Sequence, residues 1–204
     1  MITIDELIKR DLYKEIRTYT DHDDSDWPTT FEPPVEVSDA NISILIHYFG
    51  TIRNNCKSIL EIGVGNRSER SFTKLLLDNK LTSTKYFGVD IKDKSDLNDI
   101  KNNVFTITTN SSNIEEVLSF AKSHNVEEFD FIFIDSWASI NQVLNDWRYI
   151  ELLSKDGIIA FHDTNFHPGP TDLVNNLKND KYKISKRCVE KTDWGMTFIT
   201  KKVN

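Results

Sequence analysis

From Ser58 onward, short apolar runs alternate with amphipathic stretches. The runs are SILEI (58–62), KYFGVDI (85–91), VFTITT (104–109), FDFIFID (129–135) and GIIAFHD (157–163). Each is rich in β-branched or aromatic residues and bounded by polar ones, which predicts buried strands. Between them Phe72, Leu75 and Leu76, then Val117, Leu118 and Ala121, then Val143, Leu144 and Trp147 recur at helical spacing. Ser112 with Glu115, and Ser139 with Gln142, have capping-box spacing and predict two helix starts. Lys155-Asp156-Gly157 reads as the turn into the fifth strand, and Gly169-Pro170 precede a short helix over Leu173 to Leu177. Upstream, Ile42, Leu45, Ile46, Phe49 and Ile52 stripe a helix beginning at Ser38, and Ile4, Ile8, Leu12 and Ile16 stripe another. Pro28, Pro33 and Pro34 keep the segment between them out of regular structure, in a loop suited to a lid.

Strands that are apolar on both faces and separated by helices predict a parallel sheet covered on both sides. KYKISKRCVE (181–190) and WGMTFITKK (194–202) read as two more strands with no helix between them, hence an antiparallel hairpin at one edge. A length of 204 residues with 38% hydrophobic content supports one core and a single domain over 1–204. Within it, 1–55 carries the N-terminal helices and the proline-rich segment, and 56–204 the core. The net charge of −7 repels phosphate backbones and anionic membranes, so neither nucleic acid nor membrane is an expected partner. The late lysines, Lys178 to Lys191, are scattered among apolar residues and read as solvated faces. Cys56 and Cys188 lack metal-like spacing, the N-terminus is too charged for a signal peptide, and no apolar run reaches the ~20 residues of a membrane span. The expectation is a cytoplasmic protein with a small-molecule substrate; a homo-oligomer is left open.

Ligands of open α/β sheets sit at the carboxyl ends of the strands. Those ends here carry Glu61, Gly63 and Gly65, then Asp90, then Asn110-Ser111-Ser112, then Asp135, then His162-Asp163. A dinucleotide fingerprint would place a third glycine where Ser68 stands. A carboxylate at Glu61 disfavours a pyrophosphate and suits a cationic ligand. Asp90 is placed to accept both hydroxyls of a ribose.

These residues resemble the class I S-adenosylmethionine-dependent methyltransferases: LEIGVGN is similar to their first motif, Asp90 to the ribose-binding acid, and Ser111 or Ser112 to the residue beside adenine. The resemblance runs from about Ser58 to Lys201. It implies a Rossmann-like, seven-stranded, mostly parallel sheet of order 3-2-1-4-5-7-6 with helices on both faces, a C-terminal antiparallel hairpin and an N-terminal helical extension. It also implies S-adenosylmethionine as cofactor, held by Glu61, Gly63, Gly65, Asp90, Ser111, Ser112 and Asp135. FDFIFIDSWAS and LLSKDGIIAFHDT are similar to the small-molecule O-methyltransferases, including sugar-modifying branches, which implies transfer to a hydroxyl. His162, Asp135 and Asp163 would face the acceptor, with His162 as the base at neutral pH. Several relatives hold Mg²⁺ at this point through acids after the fourth and fifth strands. The matching positions are Asp135, His162 and Asp163, with His162 standing where the sugar-modifying branch has a glutamate, so Asp135 and Asp163 are the ligands the resemblance implies. Trp137 stands where many relatives carry a second acid, Ala138 where they carry a histidine, and Thr164 where some carry an asparagine ligand, so the metal and the histidine base remain alternatives. Two other readings stay open: a methyltransferase-like domain that binds without turnover, and a nicotinamide-dependent oxidoreductase on a similar sheet.

Overall fold

The computed structural model describes residues 37–67, 70–165, 167–177, 180–189 and 193–202. The predicted helix over 4–16 and the proline-rich segment, with His22 and Trp27, lie outside the described residues. The described chain forms α1 (Asp39–Ile52), β1 (Ser58–Ile62), α2 (Phe72–Asn79), β2 (Lys85–Asp90), β3 (Val104–Thr108), α3 (Ile114–Ser123), β4 (Phe129–Ile134), α4 (Ile140–Trp147), β5 (Leu153–His162), α5 (Pro168–Asn176), β6 (Tyr182–Arg187) and β7 (Met196–Lys201). The seven strands lie in the order β3-β2-β1-β4-β5-β7-β6. β1 to β5 pair in parallel, while β7 pairs antiparallel with both β5 and β6. No helix among the described residues is long and apolar enough to cross a membrane.

Period-two alternation sorts the strand residues into two cores. Leu60, Ile62, Phe87, Val89, Ile132, Ile134, Ile159 and Phe161 pack against α3, α4 and α5 through Val117, Ala121, Val143, Leu144, Trp147, Leu173 and Val174. Ile59, Tyr86, Phe131, Phe133, Ala160 and Phe198 face the other way, onto Leu45 and Phe49 of α1 and Phe72 and Leu76 of α2. The same parity carries Glu61, Asp90, Asp135 and His162 toward the α1/α2 side.

Four local expectations are corrected. The capping box at Ser112 and Glu115 does not form: the cap is Asn113, without a side-chain bond, and Ser112 instead donates its N–H to Asn110 Oδ1 at 2.9 Å. At Ser139 the hydroxyl does accept from the Gln142 N–H, but the Gln142 side chain turns away to Ser111 and Asp146. The fifth strand starts at Leu153, ahead of the predicted turn, which survives as a slip in pairing between Phe129 and Phe131. Pro170 lies inside the first turn of α5, because a helix needs no N–H from its first residues.

Candidate functional site

The loop after β1 is held against β2 and β4. Gly63 has φ +83°, and its N–H donates to Val89 O at 3.0 Å. The next N–H, of Val64, donates to Asp90 Oδ2 at 2.9 Å, and the Lys92 N–H donates to Oδ1 at 2.7 Å. The Gly65 N–H donates to Thr73 Oγ1 at 2.7 Å, and that hydroxyl donates to Glu61 Oε1 at 2.8 Å. Tyr86 donates to the other carboxylate oxygen of Glu61.

Glu61 therefore meets the loop indirectly. It is 1% exposed, both its oxygens are engaged inside the protein, and the alternation of β1 aims it under α2. The sequence expectation that its charge faces a ligand is corrected: Glu61 positions Gly65 through Thr73. Burial pushes its pKa up to about 8, against the opposing pull of the Tyr86 and Thr73 hydroxyls. A carboxyl held above its ordinary value keeps a proton that the unfolded chain releases, so stability falls as pH rises from about 4.5 to about 8. Glu61→Gln should flatten that slope, gaining on the wild type by up to ~1.4 kcal/mol per pH unit in this window. Thermal melts of both proteins from pH 5 to pH 8 check it; parallel melting curves would refute the buried-acid assignment.

At the ends of β4 and β5 the predicted trio comes together. His162 Nδ1 lies 3.1 Å from Asp135 Oδ1 and 2.9 Å from Asp163 Oδ1, and its Nε2 lies 3.3 Å from Asn41 Nδ2 of α1. His162 is 2% exposed, and the Phe72 ring packs against it at 4.9 Å. Burial alone would depress its pKa, but Asp163 and Asp135 outweigh burial and hold it well above the usual value. Burial would in turn raise Asp163, yet the His162 and His167 rings hold that carboxyl below its usual range. The expectation that His162 meets the acceptor as a free base is corrected, because both ring nitrogens face protein groups and the ring is enclosed. Asp135 and Asp163 are half-buried. Asp163 takes a left-handed backbone at φ +63°, a conformation costly for a residue with a Cβ. Trp137, two residues beyond Asp135, is 52% exposed and so is no core residue.

The two serines after β3 separate. Ser111 is buried: its hydroxyl donates to Asp146 Oδ1 at 2.6 Å, it accepts from Gln142 Nε2 at 2.6 Å, and its carbonyl accepts from the Tyr149 hydroxyl at 2.7 Å. Ser136 donates to the other oxygen of Asp146 at 2.5 Å, which ties the β3 and β4 loops together. Ser112 stays half-buried at the loop.

Sequence reasoning missed Thr73, Tyr86, Asn41 and Asp146. Only Asn41 left a signal, as a polar residue on the buried stripe it shares with Leu45 and Phe49. A separate groove, lined by Lys57, Glu128, Asp130 and Ser154, lies at the amino ends of the strands and contains none of the predicted residues.

The carboxyl-end arrangement can take a nucleoside. Each Asp90 oxygen accepts one backbone N–H and keeps a second acceptor position for a hydroxyl. Ile91 beside it is 71% exposed, an apolar face at the lip of the loop. Ser71 Oγ, buried and without a protein partner, lies 2.6 Å from where a Gly65 Cβ would stand, so a polar group faces bare backbone.

Comparison of the sequence with models of protein families finds no match, and neither does comparison with curated proteins. Solved structures do match. MycE, a methyltransferase from the mycinamycin biosynthetic pathway in complex with Mg, SAH and mycinamycin VI, superposes with a TM-score of 0.58 at 18% identity over 78% of this chain. This chain spans about half of that one, 48% of its length. A Clostridium thermocellum protein described as a candidate rRNA-methylase superposes with a TM-score of 0.57 at 16% identity, over 83% of this chain and 99% of its own. The fold is that of the class I S-adenosylmethionine-dependent methyltransferases.

Proposed function

We propose that this chain is a cytoplasmic S-adenosylmethionine-dependent methyltransferase acting on a hydroxyl of a small molecule, such as a sugar or secondary metabolite. The observation that carries the reading is the convergence, on one side of one sheet edge, of the Asp90-anchored glycine loop and the Asp135-His162-Asp163 cluster. Asp90 holds the ribose hydroxyls, Ile91 lies along the adenine, Gly63 and Gly65 admit the ligand close to the backbone, and Ser112 borders the base. Ser111 acts through Asp146, which fixes the loop.

When bound, the cofactor supplies a methyl group on a cationic sulfur. The protein's task is to orient an acceptor oxygen and draw its proton. Asp135 and Asp163 supply negative charge where the hydroxyl must lie, and His162, enclosed behind them, fixes both carboxylates. The same two acids would hold a divalent ion, whose chemistry when bound is to lower the pKa of an acceptor hydroxyl. A small acceptor is favoured over RNA because the chain carries a net charge of −7 and Asp90, Asp135 and Asp163 stand at the carboxyl ends of the strands.

Calorimetry with S-adenosylhomocysteine tests the cofactor half of this reading, with micromolar binding as the expected result and no binding as the refutation. Transfer of a labelled methyl to a panel of sugars and phenols tests the rest. Asp163→Ala should cut turnover by ~100-fold or more while leaving the cofactor affinity unchanged. Cofactor binding with no transfer to any hydroxyl would favour a binding domain.

A further inference from the structure

We propose that Asp135, His162 and Asp163 form a binding site for a divalent first-row transition ion, with His162 Nδ1 as a ligand, rather than an all-oxygen Mg²⁺ site. The role of that ion in transfer rests on the methyltransferase reading, but its binding does not.

One ligand atom from each of the three residues lies within 4.8 Å of the others. The imidazole nitrogen is central to the group, 2.9 Å from one carboxylate and 3.1 Å from the other. An ion that draws on both carboxylates here also meets that nitrogen. Mg²⁺ demands oxygen donors in near-octahedral array, whereas imidazole suits the later first-row ions. The donor set thus selects against the ion that an oxygen cage would take.

The second observation is Asn41. It is fully buried, on a helix stripe otherwise made of Leu45 and Phe49, and its Oδ1 has no partner while Nδ2 faces His162 Nε2 at 3.3 Å. The two ends of an amide exchange places by rotation of its last torsion. A histidine that ligates through Nδ1 carries its proton on Nε2 and needs an acceptor there, and ligating histidines nearly always have one. Turning the Asn41 amide puts the unpartnered oxygen against that proton. A buried asparagine with one unused acceptor is the feature a metal-bearing His162 requires. The Phe72 ring, packed against His162 at 4.9 Å, closes another side of the imidazole.

The test titrates CoCl₂, ZnCl₂ and MgCl₂ into the tag-free full chain by calorimetry, follows the visible absorption of Co²⁺, and records ¹⁵N NMR of the histidines with Zn²⁺. We expect Co²⁺ to bind ~100-fold or more tightly than Mg²⁺, and the His162 Nδ1 resonance to move on addition of Zn²⁺. His162→Asn should lose most of the Co²⁺ affinity and leave the weak Mg²⁺ binding in place, and His162→Glu should strengthen Mg²⁺. Asn41→Leu should weaken Co²⁺ by ~10-fold or more through the lost acceptor.

Co²⁺ affinity indifferent to His162→Asn, Mg²⁺ binding as tight as Co²⁺, or a Zn²⁺ spectrum with His162 unmoved would each overturn the proposal. If His162→Asn does not fold, the wild-type NMR titration decides alone. Calorimetry with S-adenosylhomocysteine on the same proteins keeps the two readings apart. Ion binding without nucleoside binding removes the methyltransferase assignment and leaves the metal site, and the converse removes only the metal site.

Discussion

Gly63→Ala is expected to destabilise the protein by about 3 kcal/mol or more and to abolish cofactor binding in whatever fraction still folds. Two effects add. The residue sits at φ +83°, where any side chain costs ~1–2 kcal/mol. A Cβ there would lie 2.0 Å from the carbonyl oxygen of Asp135, 2.5 Å from its carbon and 2.9 Å from Ser136 Cα. All three are backbone atoms, so no rotamer change relieves the overlap; the end of β4 must move, and Asp135 moves with it. Gly50→Ala is the control, because nothing lies within 4 Å of the added methyl in α1 and alanine is the better helix former by up to ~1 kcal/mol. Urea denaturation of the two variants beside the wild type measures both. A Gly63→Ala protein as stable as the wild type would show that the loop does not pack on β4 as described.

Asp90→Ala should weaken S-adenosylhomocysteine by ~30-fold or more, because the side chain serves two purposes. Its oxygens accept from the Val64 and Lys92 N–H groups and so fix both the glycine loop and the turn after β2. Their remaining acceptor positions are those assigned to the ribose hydroxyls. Loss of two hydrogen bonds from a charged acceptor amounts to ~2–3 kcal/mol before any loosening of the loop. Asp90→Asn keeps one oxygen and should fall between alanine and wild type. Calorimetry at fixed pH measures all three, and an alanine variant that binds as tightly as the wild type would refute the ribose assignment.

The strands and the terminal hairpin were legible because each strand is a short apolar run between polar borders, and because a missing helix between the last two runs leaves them no parallel connection. The order of the strands was legible only through the resemblance to the methyltransferases. Element edges were less legible. Ser112 and Glu115 have the spacing of a cap, but Asn110 offers its side chain to the Ser112 N–H and delays the helix to Ile114. Strand five begins early because Leu153 finds Phe129 across the sheet, a pairing between residues far apart in sequence. At the site, the convergence of Asp135, His162 and Asp163 follows from their places at the ends of adjacent strands. The enclosure of His162 does not, since it depends on Asn41 and Phe72, which arrive from two helices elsewhere in the chain.

The sequence by itself determined which residues stand at the strand ends and which residues within each strand share one side of the sheet, because strand alternation is a local property of the backbone. Tertiary structure alone decided what covers that side. With α2 laid over β1, Glu61 becomes a buried brace for Gly65 instead of a charge in the cleft, and with α1 laid over β5, His162 turns from a free base into the enclosed partner of two carboxylates. In both cases burial and neighbouring charge set the chemistry of a side chain, and both are fixed by contacts between segments distant along the chain.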